Sequence, residues 1–202
     1  MKVIKGDKKE IIIESIRVIE GGGVVVFPTD TVYGLLVDAE NKKAVEKVFE
    51  IKKRLKEKTL PVFVKDIKTV EDLCFIDEEQ KLFLKKVWPG KVTMILKLKT
   101  KNNLVKEVIE KNKTIGLRIP KYKLLNELLK KINKPLTATS ANISGKSNSN
   151  KIKKIIKQFS KQKIQPDLIV DVGNLKKSKP STIIYLTRDK IEILRKGDYF
   201  KF

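Results

Sequence analysis

The sequence predicts a mixed α/β fold, a twisted mixed β-sheet flanked by helices. Three observations predict it. Short β-branched or apolar runs alternate with segments whose apolar residues recur at helical spacing. The alternation runs through the 202 residues with no Pro/Ser-rich linker and no internal repeat, so 1–202 reads as a single domain. The run Val24-Val25-Val26-Phe27 is cut off by Pro28, which has no N–H for a further ladder bond, and polar residues follow at once. The end of a buried strand is a common ligand position in α/β proteins.

In chain order, Ile11, Ile12, Ser15, Ile16 and Ile19 predict a helix over 10–20 that Gly21-Gly22-Gly23 ends. The strand 24–28 follows. Beyond it Thr29, Thr31 and Tyr33 stand at every second position, which in extended backbone turns three hydroxyls to one side. Asn41 suits the cap of a second helix that buries Ala44, Val45, Val48 and Phe49. A strand over 60–64 and short helices near 67–74 and 78–87 precede the break at Trp88-Pro89-Gly90, which leads into strand 92–98. Strand 114–119 runs to Pro120, and Leu124, Leu125, Leu128, Leu129 and Ile132 mark the next helix. Strand 136–139 enters a loop rich in Ser, Asn and Gly at 140–150. A basic helix near 151–160 and strands near 168–171, 182–186 and 191–195 complete the order.

Composition narrows the chemistry. Histidine is absent, which removes the usual proton shuttle near neutral pH and the commonest zinc ligand, and excludes Ser-His-Asp and Cys-His catalysis. The one cysteine, Cys74, excludes an internal disulfide and sits among apolar neighbours as a small core residue. No apolar run approaches the roughly 20 residues of a membrane helix, and the N-terminus opens with charges rather than an apolar signal core. The expected location is the cytoplasm, with no membrane partner.

The formal charge of +22 invites a polyanionic partner such as RNA. Nearly all of it is lysine spread along the chain, which a solvated surface or compositional drift also explains. Arginine occurs only at positions 17, 54, 118, 188 and 195. Its flat, permanently charged fork has no substitute in lysine, so each arginine in a lysine-rich chain is worth following.

Several constellations could carry chemistry. In Lys52-Lys53-Arg54, with Lys58 four residues on, residues two apart would point about 200° apart on a helix. Lys52 and Arg54 therefore converge only if the helix ends there and the backbone extends; a charged helix terminus complementing the dipole is the plainer alternative. Thr139-Ser140-Ala141-Asn142-Ile143-Ser144-Gly145 offers hydroxyls, an amide and a permissive glycine after a short strand, chemistry suited to phosphate or ribose. An ordinary polar turn uses the same residues. Gly145-Lys146-Ser147 falls short of a P-loop, which needs glycine where Ser140 stands. Within Gly116-Leu117-Arg118-Ile119-Pro120, a lone arginine amid apolar neighbours needs an anionic partner, from the protein or a ligand. Ser181-Thr182 enters a strand and Arg195 ends one.

Together and in this order, PTDTVYGL, IKKR, WPGKVTMIL, GLRIP, PLTATSANISG, STIIYL and ILRKG closely resemble the threonylcarbamoyl-AMP synthase family, also called YrdC-like, from about Gly22 to Gly197. The resemblance implies the short, single-domain form, with a deep, positively charged cavity. It implies that L-threonine, bicarbonate and ATP, the last with Mg2+, give threonylcarbamoyl-adenylate, pyrophosphate and water. Partner proteins would then move the threonylcarbamoyl group onto adenosine in tRNA. By position in the motifs, Lys52 and Arg54 fall on the family's basic catalytic pair. Thr31, Arg118 and Ser181 fall on threonine contacts, and Arg54, Lys58, Ser140, Asn142, Asn148 and Arg195 on nucleotide contacts. No protein-held metal is implied.

The chain departs from the pattern in places. Lys53 and Leu55 stand where many members have Gly and Pro, Lys196 replaces the proline of RPG, and Phe63 stands where some longer members carry a histidine. None of these changes removes a charged group. The implied reaction needs no enzyme nucleophile, because the threonine amine and the carbamate supply their own; positioning and charge neutralisation suffice, and the missing histidine costs nothing. Competing readings are an RNA- or tRNA-binding module without chemistry, a relative that forms a carbamoyl-adenylate, and a silent family member. Few aromatics are present to stack on single strands, which weighs against the first, though a weak RNA contact by the lysines stays open.

Overall fold

The computed structural model describes residues 1–55, 59–137, 139–187 and 190–197. Among them the expected α/β alternation is present, and the strands divide between two mixed sheets. One runs in the order β1 (Lys2–Ile4), β9 (Leu168–Val170), β2 (Val25–Phe27), β3 (Gly34–Leu36) and β8 (Thr139–Ser140). The other runs β11 (Lys190–Arg195), β10 (Thr182–Thr187), β5 (Val92–Lys97), β6 (Thr114–Arg118), β4 (Val62–Phe63) and β7 (Leu136–Thr137). The stretch expected as one strand over 136–139 serves both: β7 pairs with β4, and β8 pairs with β3.

The β2 run is continuously apolar because it is covered on both faces. Val24 and Val26 pack with Ala44, Val45, Val48 and Phe49 of α2 (Lys42–Lys52). Val25 and Phe27 pack with α1 (Lys8–Glu20) and the leucines of α5 (Lys123–Ile132). Asp7 caps α1, and Asn41 caps α2 by accepting from the Ala44 amide at 3.1 Å. The short helices α3 (Ile67–Leu73) and α4 (Glu78–Val87) come next, the latter opened by a capping box between Asp77 and Gln80. α6 (Ile152–Ser160) buries Ile152, Ile155 and Phe159, while its lysines are exposed. No helix among the described residues is long and apolar enough to cross a membrane.

Candidate active site

A cavity of about 280 Å³ lies between the two sheets. The six-stranded sheet contributes Phe63, Thr93, Ile95, Gly116, Arg118 and Ile183; the opposite wall carries Thr29, Thr31, Gly34, Thr139 and Ser140. Three of the five arginines, Arg54, Arg118 and Arg195, line it, and among the described lining residues there is no lysine. Glu110 is the one lining carboxylate among them. Among the described residues, then, the rare arginines mark the cavity and the abundant lysines do not.

The segment after Pro28 is a bend, not a continued strand. The Thr29 hydroxyl accepts the Thr31 amide at 3.1 Å and donates to the Val32 carbonyl at 2.6 Å. This closed turn breaks the alternation expected for extended backbone. Thr29 and Thr31 stay together at the cavity wall, their hydroxyls 3.1 Å apart. The Tyr33 hydroxyl is diverted to the Gly173 carbonyl at 2.7 Å, so the expected row of three hydroxyls is reduced to two.

Arg118 reaches the cavity from β6 with both kinds of partner in reach. Nε donates to the Gly90 carbonyl at 2.8 Å and Nη2 to Asp30 at 2.6 Å, while the guanidinium stands 5.7 Å from the Phe63 ring centre. Asp30 supplies the anionic partner a buried arginine requires, and the motif around it had pointed only to its hydroxyl neighbours. Burial lowers the Arg118 pKa, Asp30 opposes this, and the Arg195 charge adds a smaller lowering. Nearby, Arg195 closes on Ser181, its Nη2 donating to the Ser181 carbonyl at 2.8 Å and to the hydroxyl at 3.2 Å. The Ser181 hydroxyl also lies 3.0 Å from that of Thr93.

At the other end, Arg54 donates from Nη2 to the Thr59 carbonyl at 3.0 Å, and the Thr59 hydroxyl donates to Glu110. Burial lowers the Arg54 pKa and Glu110 opposes it. Asn148 lines the exposed rim. Lys58 lies outside the described residues.

The helix α2 does end between the two basic residues. Lys53 takes a left-handed conformation, φ 51° and ψ 45°, and the Arg54 amide bonds back to the Phe49 carbonyl at 3.0 Å. The turn separates the pair rather than joining it. Arg54 lines the cavity, whereas the Lys52 ammonium, on a residue only 2% exposed, is sunk among the Ser140 carbonyl, the Asn142 carbonyl at 2.9 Å and Asn142 Oδ1 at 3.0 Å. Desolvation and the Arg54 charge push Lys52 down to about 7. The Asn142 amide is equally occupied: Oδ1 accepts the Ser140 hydroxyl at 2.6 Å, and Nδ2 donates to the carbonyls of Ile143 and Lys146. Lys52 and Asn142 are absent from the cavity lining, and Ser140 is the member of this network that reaches it.

Two arginine-bearing ends, with hydroxyls between them, can hold two anionic groups in one hollow. Residues 17–197 match the Sua5/YciO/YrdC family model, described as telomere recombination. The chain belongs to this family. A Methanocaldococcus jannaschii protein provisionally named threonylcarbamoyl-AMP synthase is 38% identical over 196 residues, 97% of this chain and 86% of that protein. The Bacillus subtilis threonylcarbamoyl-AMP synthase is 35% identical over 179 residues, 88% of this chain, which spans about half (51%) of that longer family member. The crystal structure of Pyrococcus abyssi Sua5 complexed with L-threonine matches with a TM-score of 0.84 and 29% identity, covering 97% of this chain and 56% of that one.

Proposed function

We propose that the protein is an L-threonylcarbamoyladenylate synthase, joining L-threonine, bicarbonate and ATP for the modification of tRNA adenosine. The observation that supports this most directly is the meeting of Arg54, Arg118, Ser140 and Ser181 around one cavity, in a fold shared with a threonine-bound family structure. Arg118 takes the threonine carboxylate, and Thr31 and Ser181 complete that end. Arg54 and Ser140 take the phosphates, with Asn148 at the rim. Arg195, held on Ser181, stands where threonine and nucleotide meet. A phosphate role for Lys58 rests on its place in the motif alone. Lys52 and Asn142 serve the nucleotide indirectly, by fixing the loop that presents Ser140.

In the first step the threonine amine attacks the bicarbonate carbon, water leaves, and a carbamate remains. A carbamate oxygen then attacks the α-phosphorus; the bond from that phosphorus to the bridging oxygen breaks and pyrophosphate departs. Negative charge grows on the phosphates as the bond breaks, and preplaced guanidinium groups stabilise it. Among the described residues no cluster of three or more candidate metal ligands exists, and Glu110 is the one lining carboxylate. One carboxylate makes no all-protein cage for Mg2+, which in this reading comes as part of the substrate on the ATP phosphates. The transferase partners downstream and a weak contact of the exposed lysines with tRNA belong to the same proposal.

The test is pyrophosphate release from ATP with threonine and bicarbonate supplied singly and together. Release that needs both supports the synthase. Release independent of threonine, or none together with steeply salt-dependent RNA binding, would replace it with another family activity or with an RNA-binding module.

A further inference from the structure

Asp30 does not line the cavity, yet it is bonded to a side chain that does. Its Oδ1 accepts from Arg118 Nη2 at 2.6 Å and its Oδ2 accepts the Lys121 amide at 3.0 Å. The side chains of Arg118 and Asp30 are 5% and 6% exposed, so the ion pair is desolvated and rigidly held. The Gly90 carbonyl takes Nε at 2.8 Å, and the guanidinium carbon stands 5.7 Å from the Phe63 ring centre. Among the described residues, Nη1 and its two N–H groups make no hydrogen bond, and Arg118 lines the cavity.

We infer that Asp30 is the positioning residue of the amino-acid subsite, locking the Nε–Nη2 edge of Arg118 so that its Nη1 side meets the substrate carboxylate. The inference rests on the proposed threonine role of Arg118. A carboxylate suits this task because one oxygen holds the guanidinium while the other is tied to the chain entering α5. An amide in its place keeps one acceptor and turns a donor toward the Lys121 N–H, loosening the anchor.

The experiment compares wild type, Asp30→Asn, Asp30→Glu, Arg118→Met and the double variant Asp30→Asn/Arg118→Met. Threonine binding is measured by calorimetry, and KM for threonine and for ATP by pyrophosphate release. If wild type neither binds threonine nor needs it, the synthase reading fails and this inference falls with it, a result separate from any variant effect. Where wild type does both, Asp30→Asn is expected to raise the threonine KM by on the order of 10–100-fold, as losing a charge-assisted bond would, with ATP KM within about twofold. Asp30→Glu recovers most of that loss. In the Arg118→Met background the asparagine adds nothing, because the residue it positions is gone. An unchanged threonine KM, a parallel rise in both KM values, or a further rise in the double variant overturns the inference. Should Asp30→Asn fail to fold, Asp30→Glu decides the matter, since it keeps the buried charge paired while shifting the guanidinium: a rise in threonine KM with ATP KM unchanged is expected, and no rise, or a parallel rise in both, overturns the inference.

Discussion

Asn142 Oδ1 lies 3.0 Å from the Lys52 ammonium and accepts the Ser140 hydroxyl at 2.6 Å. One amide oxygen thus links the end of α2 to the loop after β8 and sets the direction of a cavity serine. Of the four motif residues, Arg54 and Ser140 line the cavity, and Lys52 and Asn142 support the loop that carries Ser140.

Replacing Lys52 with methionine should therefore damage the loop before it damages the chemistry. The change takes a donor from two carbonyls and an amide oxygen. Asn142 Oδ1 keeps the Ser140 hydroxyl and the Ser140 carbonyl keeps the Asn142 amide, so the Asn142 carbonyl is the group put at risk, at about 1–3 kcal/mol for a buried group left unsatisfied. Urea denaturation should show a loss of about 1–3 kcal/mol, and ATP KM should rise. A Lys52→Met protein of wild-type stability with reduced turnover would instead place the ammonium on the phosphates.

Lys52 also makes stability depend on pH in an identifiable window. Its folded pKa is lowered from 10.5 to about 7, desolvation being the larger cause and the Arg54 charge the smaller. Between those values the unfolded chain binds a proton that the folded one has released. Stability contributed by this group consequently rises as pH goes from about 7 to 10.5, and is lost as pH falls back through about 7. The gain is on the order of a few kcal/mol. Thermal or urea melts across that range should rise in wild type relative to Lys52→Met, in which this contribution is absent.

Arg54 offers the opposite expectation, because it faces the cavity. Arg54→Ala removes a guanidinium at the proposed phosphate end, and such losses cost on the order of 2–4 kcal/mol in the transition state. Turnover should fall about a hundredfold or more while the protein stays folded by circular dichroism. Near-normal turnover in a folded variant would remove Arg54 from the mechanism.

How far the sequence carries follows from what each signal encodes. The helices α1, α2, α4 and α5 were legible because apolar periodicity is local, reinforced at α2 by the Asn41 cap. β1 and β3, three residues each, were not, since so short a stretch shows no alternation, and β3 begins at Gly34 inside the polar motif. The division of 136–139 between two sheets is a tertiary fact with no local signature. At the site, rarity located the arginines; the Tyr33 hydroxyl is turned away because the chain there is not extended, and the bond between Lys52 and Asn142 is a tertiary fact that motif spacing does not carry. Asp30 was passed over because a carboxylate behind an arginine looks, in one dimension, like any surface acid.

Lys53, where the resemblance leads to an expected glycine, bears a backbone cost. Lys53 holds φ at 51°, a left-handed conformation that costs a residue with a Cβ roughly 1–2 kcal/mol. Glycine escapes that cost and gives back about half of it through the greater freedom of the unfolded chain. Lys53→Gly should stabilise the protein by about 0.5–1 kcal/mol, raising the melting temperature by about 1–4 °C for a chain of this size. A lower melting temperature would mean that the lysine side chain makes a compensating contact.

Gly197 is constrained by space rather than by dihedral angle. A Cβ built there would lie 2.3 Å from the Pro180 carbonyl oxygen and 2.6 Å from the Thr182 nitrogen, both backbone atoms that cannot swing aside. The close approach lets the Gly197 amide bond the Thr182 hydroxyl at 3.0 Å and brings the end of β11 against the segment bearing Ser181. Arg195, two residues earlier, depends on that alignment to grip the Ser181 carbonyl. Gly197→Ala should force the strand end outward, with a stability loss of about 1–3 kcal/mol, as for other overpacked sites. The same displacement should raise the threonine KM several-fold, because it moves Ser181 and Arg195 together. If melts show the stability loss while threonine KM keeps its wild-type value, the end of β11 is mechanical support only, and Arg195 does not shape the amino-acid end of the cavity.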